Sequence, residues 1–370
     1  MSIFSSGATI IFALIHSFRK AAPLGVAILA CVMLSLQAVL AQVIPDGRTQ
    51  TTVTGAGAVS NVHTGTISQG HGINSFSNFN VNSGQTVNIH IPGGAVGTVN
   101  VVNGPQATIH GMVQSMQGGQ VGGDMYIASP QGFVVGPQGV VRGGSVHLST
   151  PSQSAVNGMF LPGGGLSGSH VTNIINGTAP YGPGGIDVQG RIHGVDATSL
   201  RSGGRIRISG EVTGGRVDVY SGRNVEVTGG GQVRSTRGGR VNIRSGGNIQ
   251  IRRGARVLSQ SEGARDAGTI HGFAEDADLL EVGAVVSAAA LGSGEGGFIE
   301  FSGRNIVQAF GELEVFSRTG QAGTIFIDPD IAEIKSRDTD GGNLIVAARE
   351  KIVLIEDSII NTLSSAGAGG

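Results

Sequence analysis

GGRVNIRSG, residues 238–246, opens with two glycines and then alternates apolar and polar side chains. Alternation with period two is typical of a strand with one buried face. Val241 and Ile243 are therefore predicted to point inward, and Asn242 and Arg244 outward. Units repeated at intervals of about 20–30 residues are typical of stacked arrays, in which no unit can bury its apolar side alone. The pattern recurs as GGRIRISG from 203, GGRVDVYSG from 214, GTIHGFA from 268, GGFIEFSG from 296 and GTIFIDP from 323.

The composition favours β-structure punctuated by glycine. Of the 370 residues, 65 are glycine, 11 are proline and none is tryptophan, and the formal net charge is −1. Collagen is excluded because glycine does not fall at every third position. Disorder is disfavoured because valine and isoleucine are abundant and the net charge is small. The near-zero charge argues neither for nor against nucleic acid as a global partner.

These patterns predict an all-β chain folded as a right-handed parallel β-helix, with an N-terminal cap formed by residues 42–70. Coils of roughly 22 residues, with strands about 4.8 Å apart, would give about 15 coils in a narrow rod. A β-sandwich is the alternative, although it would need longer strands and a more aromatic core. Residues 344–362 are also compatible with a helix, but their β-branched side chains and the preceding Gly-Gly favour strands.

The N-terminus has the pattern of an export signal. Arg19 and Lys20 are followed by the apolar stretch PLGVAILACVMLSLQAVLA, residues 23–41. Ala41 would be the last residue before signal cleavage, so the mature chain would start at Gln42 after export by the Sec machinery. A retained membrane anchor is the alternative, because an apolar stretch of this length could span a bilayer.

Cys31, inside that apolar stretch, is the only cysteine of the chain. After cleavage, the mature chain would have no disulfide and no cysteine-based zinc site. Acylation of Cys31, as in a lipoprotein, is disfavoured because Leu29 fits poorly before Ala30 and the apolar run continues past the cysteine.

A series of short elements runs through the next part of the chain. It begins with QVIPDGRTQTTVT, residues 42–54. The element at 129–132 has Ser, Pro and Gly at the first, second and fourth positions, as a type I β-turn prefers. In chain order the elements are Asn74-Ser75-Phe76, Phe79-Asn80-Val81, Val99-Asn100-Val101, Ile109-His110-Gly111, Ser129-Pro130-Gln131-Gly132, and Gly144-Ser145 to Thr150.

The order of these elements resembles the N-terminal secretion domain of the two-partner secretion exoproteins, the filamentous haemagglutinin family. The resemblance covers about residues 42–152, and it is specific because many weak elements occur in the same order. In two places the sequence departs from the family. Ser129 stands where the family has asparagine, and the element ending at Phe76 lacks the Leu-Phe-His that often precedes Ser-Phe.

The resemblance implies a signal peptide at 1–41, a two-partner secretion domain at 42–152, and Gly-rich adhesin-like repeats at 153–370. It implies secretion through the periplasm to the cell surface by an outer-membrane β-barrel transporter with periplasmic domains. A host glycan or a surface polysaccharide is the candidate ligand. The alternatives are an autotransporter-like passenger, disfavoured because no membrane barrel follows, and a β-helical polysaccharide-active enzyme. The tail SSAGAGG, residues 364–370, has no capping pattern, which predicts a longer natural product or a truncated reading frame.

Catalytic and metal-binding patterns are weak. Polysaccharide enzymes built on β-helices use clustered carboxylates. The candidates are the pairs Asp328 and Asp330, and Asp338 and Asp340, at turns where carboxylates are usually solvated. The nine histidines are scattered, and the glycine cluster at 118–124 lacks the Gly-Lys-Ser/Thr of a phosphate loop. We therefore expect no enzymatic activity, no metal and no cofactor.

Arginine is concentrated in residues 201–256, which contain 12 arginines and three acidic residues, whereas residues 262–330 contain 12 acidic residues and three arginines. Arginines at matching outward positions of stacked coils would form a ladder able to bind a polyanion. The alternative is an ordinary solvated face. Nucleic acid is not expected, because aromatic stacking residues are missing. The candidate polyanion face comprises Arg205, Arg207, Arg216, Arg240 and Arg244.

Overall fold

Short strands stacked coil on coil make up almost all of the described chain. The computed structural model describes residues 42–275, 279–335, 337–338, 341–355 and 360–361, which belong to one compact unit. The predicted signal peptide, including Ala41, and the predicted tail at 364–370 lie outside the described residues. In the part described, no helix is long and apolar enough to cross a membrane.

The first strands are β1 (Gln42–Pro45), β2 (Thr51–Ala56), β3 (Val59–Thr64), β4 (Ile67–Ser68), β5 (His71–Val81), β6 (Thr86–His90), β7 (Gly97–Val102), β8 (Ala107–Ile109), β9 (Met112–Gln117), β10 (Gln120–Val121), β11 (Asp124–Ala128), β12 (Gly132–Val135) and β13 (Val140–Thr150). Two helices follow, α1 (Gln153–Asn157) and α2 (Gly168–Asn176).

The strands after the helices are β14 (Gly185–Val188), β15 (Arg191–Ser202), β16 (Ile206–Ile208), β17 (Glu211–Ser221), β18 (Val225–Val227), β19 (Gln232–Ser245), β20 (Ile249–Ile251), β21 (Arg256–Leu258), β22 (Thr269–Ala274), β23 (Leu279–Val282), β24 (Val285–Ser287), β25 (Phe298–Gly303), β26 (Ile306–Ala309), β27 (Glu312–Glu314), β28 (Thr324–Asp328), β29 (Ile331–Ile334), β30 (Arg337–Asp338), β31 (Asn343–Val346), β32 (Lys351–Leu354) and β33 (Ile360–Asn361).

Strands of successive coils pair in parallel and form three faces around one core. Face 1 contains β5, β7, β11, β22, β25, β28 and β31, with the second halves of β13, β15, β17 and β19. Face 2 contains the end of β5, then β8, β12, β14, β16, β18, β20, β23, β26, β29 and β32. Face 3 contains β3, β6, β9, β21, β24 and β27, with the first halves of β13, β15, β17 and β19. The predicted right-handed parallel β-helix is confirmed.

Alternation along each strand sends one set of side chains into the core. Val241 and Ile243 are buried and stack in register on Val217 and Val219 of the preceding coil, whereas Arg244 is exposed, as predicted. β-branched side chains suit this arrangement because they pack well on a pleated surface. Each coil therefore buries its inward side chains against the coils before and after it.

Antiparallel strands form the predicted cap at the N-terminal end. β1 runs antiparallel to β5 and places Val43 beside Phe79, while β2 and β3 form a hairpin with Val53 opposite Val62. β4 makes a further antiparallel pair with the start of β5. These strands cover the edge of the first coil, which would otherwise offer unpaired N–H and C=O groups to another chain.

One corner contains an insertion that the sequence analysis did not predict. Thr150 of β13 is in register with Ser202 of β15, although 52 residues separate them. The chain between β13 and β14 contains α1 and α2. Ser152 caps α1 by accepting a hydrogen bond from the backbone N–H of Ala155 at 3.2 Å, and Gly177 ends α2 with a φ of 66°, the left-handed conformation that favours glycine.

The coils are longer and fewer than predicted. Face 1 has eleven strand segments in the described part of the chain, where about 15 coils were expected from the repeat length. The spacing varies, because Ala197 pairs with Arg216 but Arg240 pairs with the more distant Thr269. Corner loops and the insertion use residues without adding a coil. The strands β31 and β32 confirm the strand interpretation for the described residues of 344–362.

Candidate functional site

The two phenylalanines of the predicted motifs fill the core beside the cap. β5 continues from face 1 around a corner to face 2, and Phe76 and Phe79 lie near that corner, both fully buried. Their rings meet edge to face, with centroids 5.2 Å apart and an interplanar angle of 67°, a favourable aromatic geometry. Because Phe79 is also in register with Val43, this pair joins the cap to the first coil.

Asn74 lies on the inward side of face 1, in register with Asn100 of β7, and both side chains are fully buried. The Oγ1 of Thr51 donates to the Oδ1 of Asn74 at 2.9 Å, and the Nδ2 of Asn74 donates to the Oδ1 of Asn100 at 2.9 Å. The Nδ2 of Asn100 donates in turn to the carbonyl of Tyr126 at 3.0 Å. A buried amide needs such partners, and here they link the cap to the first three coils.

Ser75 points to the opposite side and binds the cap through Asp46. Its Oγ donates to the Oδ2 of Asp46 at 2.6 Å, and the Nδ2 of Asn103 donates to the same oxygen at 3.0 Å. Arg48 adds an ion pair to Asp46 at 2.8 Å. Burial would raise the pKa of Asp46, but the hydrogen bonds from Ser75 and Arg48 outweigh burial and hold the pKa below its ordinary value.

Asn80 and Val81, the last residues of the predicted Phe-Asn-Val element, lie on face 2. The Oγ1 of Thr108 donates to the Oδ1 of Asn80 at 2.7 Å. Val81 is buried, and its carbonyl accepts hydrogen bonds from the backbone N–H groups of His110 at 2.7 Å and Gly111 at 3.0 Å. The predicted Phe-Asn-Val and Ile-His-Gly elements are therefore neighbours in consecutive coils.

The turn at residues 129–132 joins β11 on face 1 to β12 on face 2. The N–H of Gly132 donates to the carbonyl of Ser129 at 3.0 Å, and Pro130 and Gln131 both have negative φ, as the predicted type I turn requires. The next coil packs directly on this turn, since a Cβ on Gly184 would lie 2.4 Å from the Pro130 oxygen. Ser129 is fully buried, and its Oγ has no hydrogen-bond partner among the described residues.

The inserted helices cover the outward side of face 1 over the first coils. Val156 of α1 and Ile174 of α2 are buried there. Arg48 of the cap lies over the ring of Phe160, with its guanidinium carbon 4.2 Å from the centroid. The apolar surface beneath the helices, called the covered patch below, is formed by Ile73, Val99, Val101 and Ala128.

A stacked ring pair lies at the margin of this cover. The rings of Tyr126 and His147 are nearly parallel, with centroids 4.3 Å apart. Burial lowers the pKa of His147 to about 4, so the imidazole is neutral at neutral pH. Next to the pair is a cavity of about 180 Å³ that Ser199 and Arg201 also line. The sequence analysis assigned no role to these rings.

The five candidate polyanion arginines do not share one face. Arg216 and Arg240 are in register on face 1, and Arg244 lies on the same face. Arg205 and Arg207 instead lie at β16 on face 2. Arg205 therefore cannot belong to the same ladder of arginines as Arg216 and Arg240.

Carboxylates offset part of the positive charge. Arg216 lies 2.5 Å from Asp218, and Arg207 lies 3.8 Å from Glu226. Such partly exposed pairs reduce the local potential more than they stabilise the fold. Neither face is a uniform cationic surface.

Among the described residues, Asp328 and Asp330 belong to no cluster of acidic and metal-ligating side chains. Asp330 pairs with Arg349 at 2.9 Å, and Asp328 ends β28. The side chains of Asp338 and Asp340 lie outside the described residues. Within the described ranges, no three side chains of His, Cys, Asp or Glu are grouped as metal ligands.

Several of these features had a signal in the sequence that the analysis missed. Ser152 before α1 and Gly177 after α2 are the residue types that begin and end helices. Asp46 lies in a Pro-Asp-Gly stretch, residues 45–47, which is a turn signal. The contacts of Asp46 with Ser75 and Asn103 depend on coil register, which the local sequence does not contain.

The architecture defines a class: a parallel β-helix with an antiparallel N-terminal cap and a helical insertion that covers the first coils of one face. The crystal structure of the HMW1 secretion domain from Haemophilus influenzae has a similar fold, with a TM-score of 0.51 and 13% sequence identity. The similarity covers 83% of this chain and 97% of that one, so it extends well beyond residues 42–152. At this identity the likeness concerns the fold. No family model matches the sequence, and no curated protein matches it.

Proposed function

We propose that this chain is a secreted exoprotein of a two-partner system. In this proposal, Sec delivers the chain to the periplasm, and an outer-membrane β-barrel transporter with periplasmic domains recognises the first coils. The remaining coils form an adhesin-like rod at the cell surface. The principal support is that the residues of the predicted secretion motifs assemble together: Asn74, Ser75 and Phe76 each bind a different part of the cap and first coils, in a fold similar to that of a bacterial secretion domain.

The fold suits export from one end. Each coil contacts mainly its neighbours, so a chain that emerges N-terminus first can add one coil at a time. The cap covers the first coil's free edge, which leaves the other edge as the template for the next strand. Folding outside the cell would then favour continued passage of the chain.

Barrel-dependent release of the full chain into the medium tests this proposal. Phe76→Ala is compared with Phe301→Ala, since both remove a fully buried phenylalanine and only Phe76 lies in the secretion motif. We expect release only when the barrel is co-expressed, loss of release for Phe76→Ala, and retained release for Phe301→Ala. Periplasmic retention of the unaltered chain with the barrel present, or equal loss for both variants, would contradict the proposal.

We further propose that the rod has no enzymatic activity. The support is that Asp330 is engaged by Arg349 at 2.9 Å, which leaves the Asp328–Asp330 pair without the two free carboxyl groups that glycoside hydrolysis uses. Incubation of the purified chain with acidic and neutral polysaccharides, followed by chromatography of the products, tests this. Chain shortening that is lost in Asp330→Asn would overturn it.

A further inference from the structure

An open groove lies on the outward side of face 1, beyond the inserted helices. It has a volume of about 270 Å³ and is formed where β19, β22 and β25 lie side by side. Its polar and aromatic side chains, called the groove residues below, are Arg240, Asn242, Arg244, His271, Phe273 and Glu300.

Register brings these side chains together from three coils. Asn242 pairs with His271, and His271 with Glu300, so these three follow one another along the rod axis. Arg244 pairs with Phe273 in the adjacent outward row. Arg240, Asn242 and Arg244 follow one another along β19, across the axis. The groove is therefore three coils long and three outward rows wide.

Neighbouring side chains hold most of the polar groups in place. The Nδ1 of His271 lies 2.9 Å from the Oε2 of Glu300, and the Nη2 of Arg244 lies 2.7 Å from the Oε1 of Glu275. The Nδ2 of Asn242 is also held, because it donates to the carboxylate of the preceding coil at 2.8 Å. A ligand that binds here would meet side chains already oriented by these contacts.

The groove contains an exposed aromatic side chain, although the sequence analysis predicted no aromatic residue for stacking. Phe273 is 39% exposed, and the guanidinium carbon of Arg244 lies 5.6 Å from its ring centroid. Tyr220 precedes Arg244 in the same outward row. An exposed ring flanked by amide, carboxylate and guanidinium groups offers an apolar surface together with hydrogen-bond donors and acceptors.

The charge balance of the groove selects the ligand class. Arg240 is exposed and pairs with no carboxylate among the described residues, so it is available to an anion. The nearby carboxylates are engaged, Asp218 by Arg216, Glu275 by Arg244 and Glu300 by His271. The site therefore fits a ligand with hydroxyl groups, apolar ring faces and an anionic group.

We propose that this groove binds an acidic oligosaccharide that spans the three outward rows, from Phe273 to Arg240. A sugar ring packs on Phe273, its hydroxyl groups bond to Asn242 and Glu300, and its carboxylate or sulfate binds Arg240. The inference deepens the adhesin part of the proposed function and rests on it for a surface location. The binding itself requires no transporter, so the two can fail separately.

Calorimetry on the purified chain from Gln42 onward tests the inference, with an oligogalacturonate octamer as the carboxylated probe. A neutral galactose oligomer of equal length and a sulfated heparin octamer are compared with it. Phe273→Ala and Arg240→Gln are the groove variants. Arg205→Gln is the matched control, because Arg205 is exposed on face 2 and its loss changes the net charge equally.

We expect an acidic octamer to bind at least about tenfold more tightly than the neutral one, with Arg240→Gln and Phe273→Ala each weakening binding about tenfold. Arg205→Gln should leave the affinity unchanged. Preference for the carboxylated or the sulfated octamer identifies the anionic group. No binding of either acidic octamer, equal effects of Arg205→Gln and Arg240→Gln, or binding indifferent to Phe273→Ala would overturn the inference.

Discussion

Asn74 and Asn100 face each other inside the solenoid, with the amide nitrogen of one donating to the amide oxygen of the other at 2.9 Å. Polar side chains in the core of a protein cost stability unless every group is paired. Here a series of hydrogen bonds runs from Thr51 in the cap, through Asn74 and Asn100, to the backbone of the third coil. The first coils are therefore held in register by directional bonds as well as by apolar packing.

Removing Asn74 should destabilise the chain far more than removing an outward asparagine. Asn74→Ala leaves Thr51 and Asn100 without their buried partner, which should lower the free energy of unfolding by about 2–4 kcal/mol. Asn88 also bonds to neighbouring coils, at 2.9 and 2.7 Å, but it lies on the outside and is only half-buried. Asn88→Ala should cost under about 1 kcal/mol, since water can replace its partners. Guanidinium denaturation measures both, and equal losses would contradict the interpretation.

Acid should destabilise the chain partly through His147. Burial lowers the pKa of His147 in the folded state to about 4, against about 6.5 in the unfolded chain. Below pH 6.5 the unfolded state binds a proton that the folded state does not, so stability is lost as the pH falls from about 6.5 to about 4, by about 3 kcal/mol in all.

His147→Phe keeps a ring beside Tyr126 and removes this titration. Thermal denaturation at pH 7 and at pH 4.5 should show a smaller acid-induced loss for His147→Phe than for the unaltered chain. The pKa of Asp46 is lowered in the folded state, so protonation of Asp46 destabilises both proteins only at lower pH. Parallel pH profiles for the two proteins would show that His147 is not responsible.

Gly184 should be intolerant of any side chain. A Cβ at this position would lie 2.4 Å from the Pro130 oxygen and 2.7 Å from the Gly132 nitrogen, so Gly184→Ala should push the turn away from the next coil. Overpacking of this kind costs about 1–3 kcal/mol. Gly93→Ala is the control, because nothing lies within 4 Å of its added Cβ. Similar melting temperatures for both variants would contradict the close packing of the turn.

The helical cover should detach before the solenoid unfolds. Ile174→Ser places a polar group against the covered patch, where Ile174 is 3% exposed, and should release the insertion while the strands remain. We expect increased binding of a hydrophobic dye with an unchanged β-sheet circular dichroism spectrum. Asn176→Ser, at an exposed position of the same helix, should bind no additional dye. A cooperative loss of the β-signal in Ile174→Ser would show that the cover and the solenoid unfold together.

Local patterns were sufficient to predict the strands and what they bury. The alternation in residues 238–246 placed Val241 and Ile243 in the core, and the Ser-Pro-x-Gly pattern predicted the turn at Gly132, whose hydrogen bond the structure shows. Both depend on side chains within a few residues of each other. The resemblance also pointed to Asn74 and Phe76, but not to the bonds they make.

Relations between coils could not be predicted, because coil length varies. Arg216 and Arg240 are in register while Arg205 is on another face, because the same strand pattern occurs on more than one face of the solenoid. Phe273 lies outside the arginine-rich segment and still joins Arg244 in one groove. No helix was predicted in residues 151–184, because the many glycines and serines of this segment are typical of loops.

The insertion also bears on how such a rod can be altered. Pro151 and Tyr181 form an antiparallel bridge that brings the two ends of the inserted segment together. The strand pairing next to the insertion, from Ser145–Ala197 to Thr150–Ser202, stays in register. The corner is therefore an insertion site: a domain whose two ends lie side by side can be inserted there without changing the stacking of the coils. The inserted segment can thus vary while the solenoid stays the same. A foreign domain could be displayed at that corner.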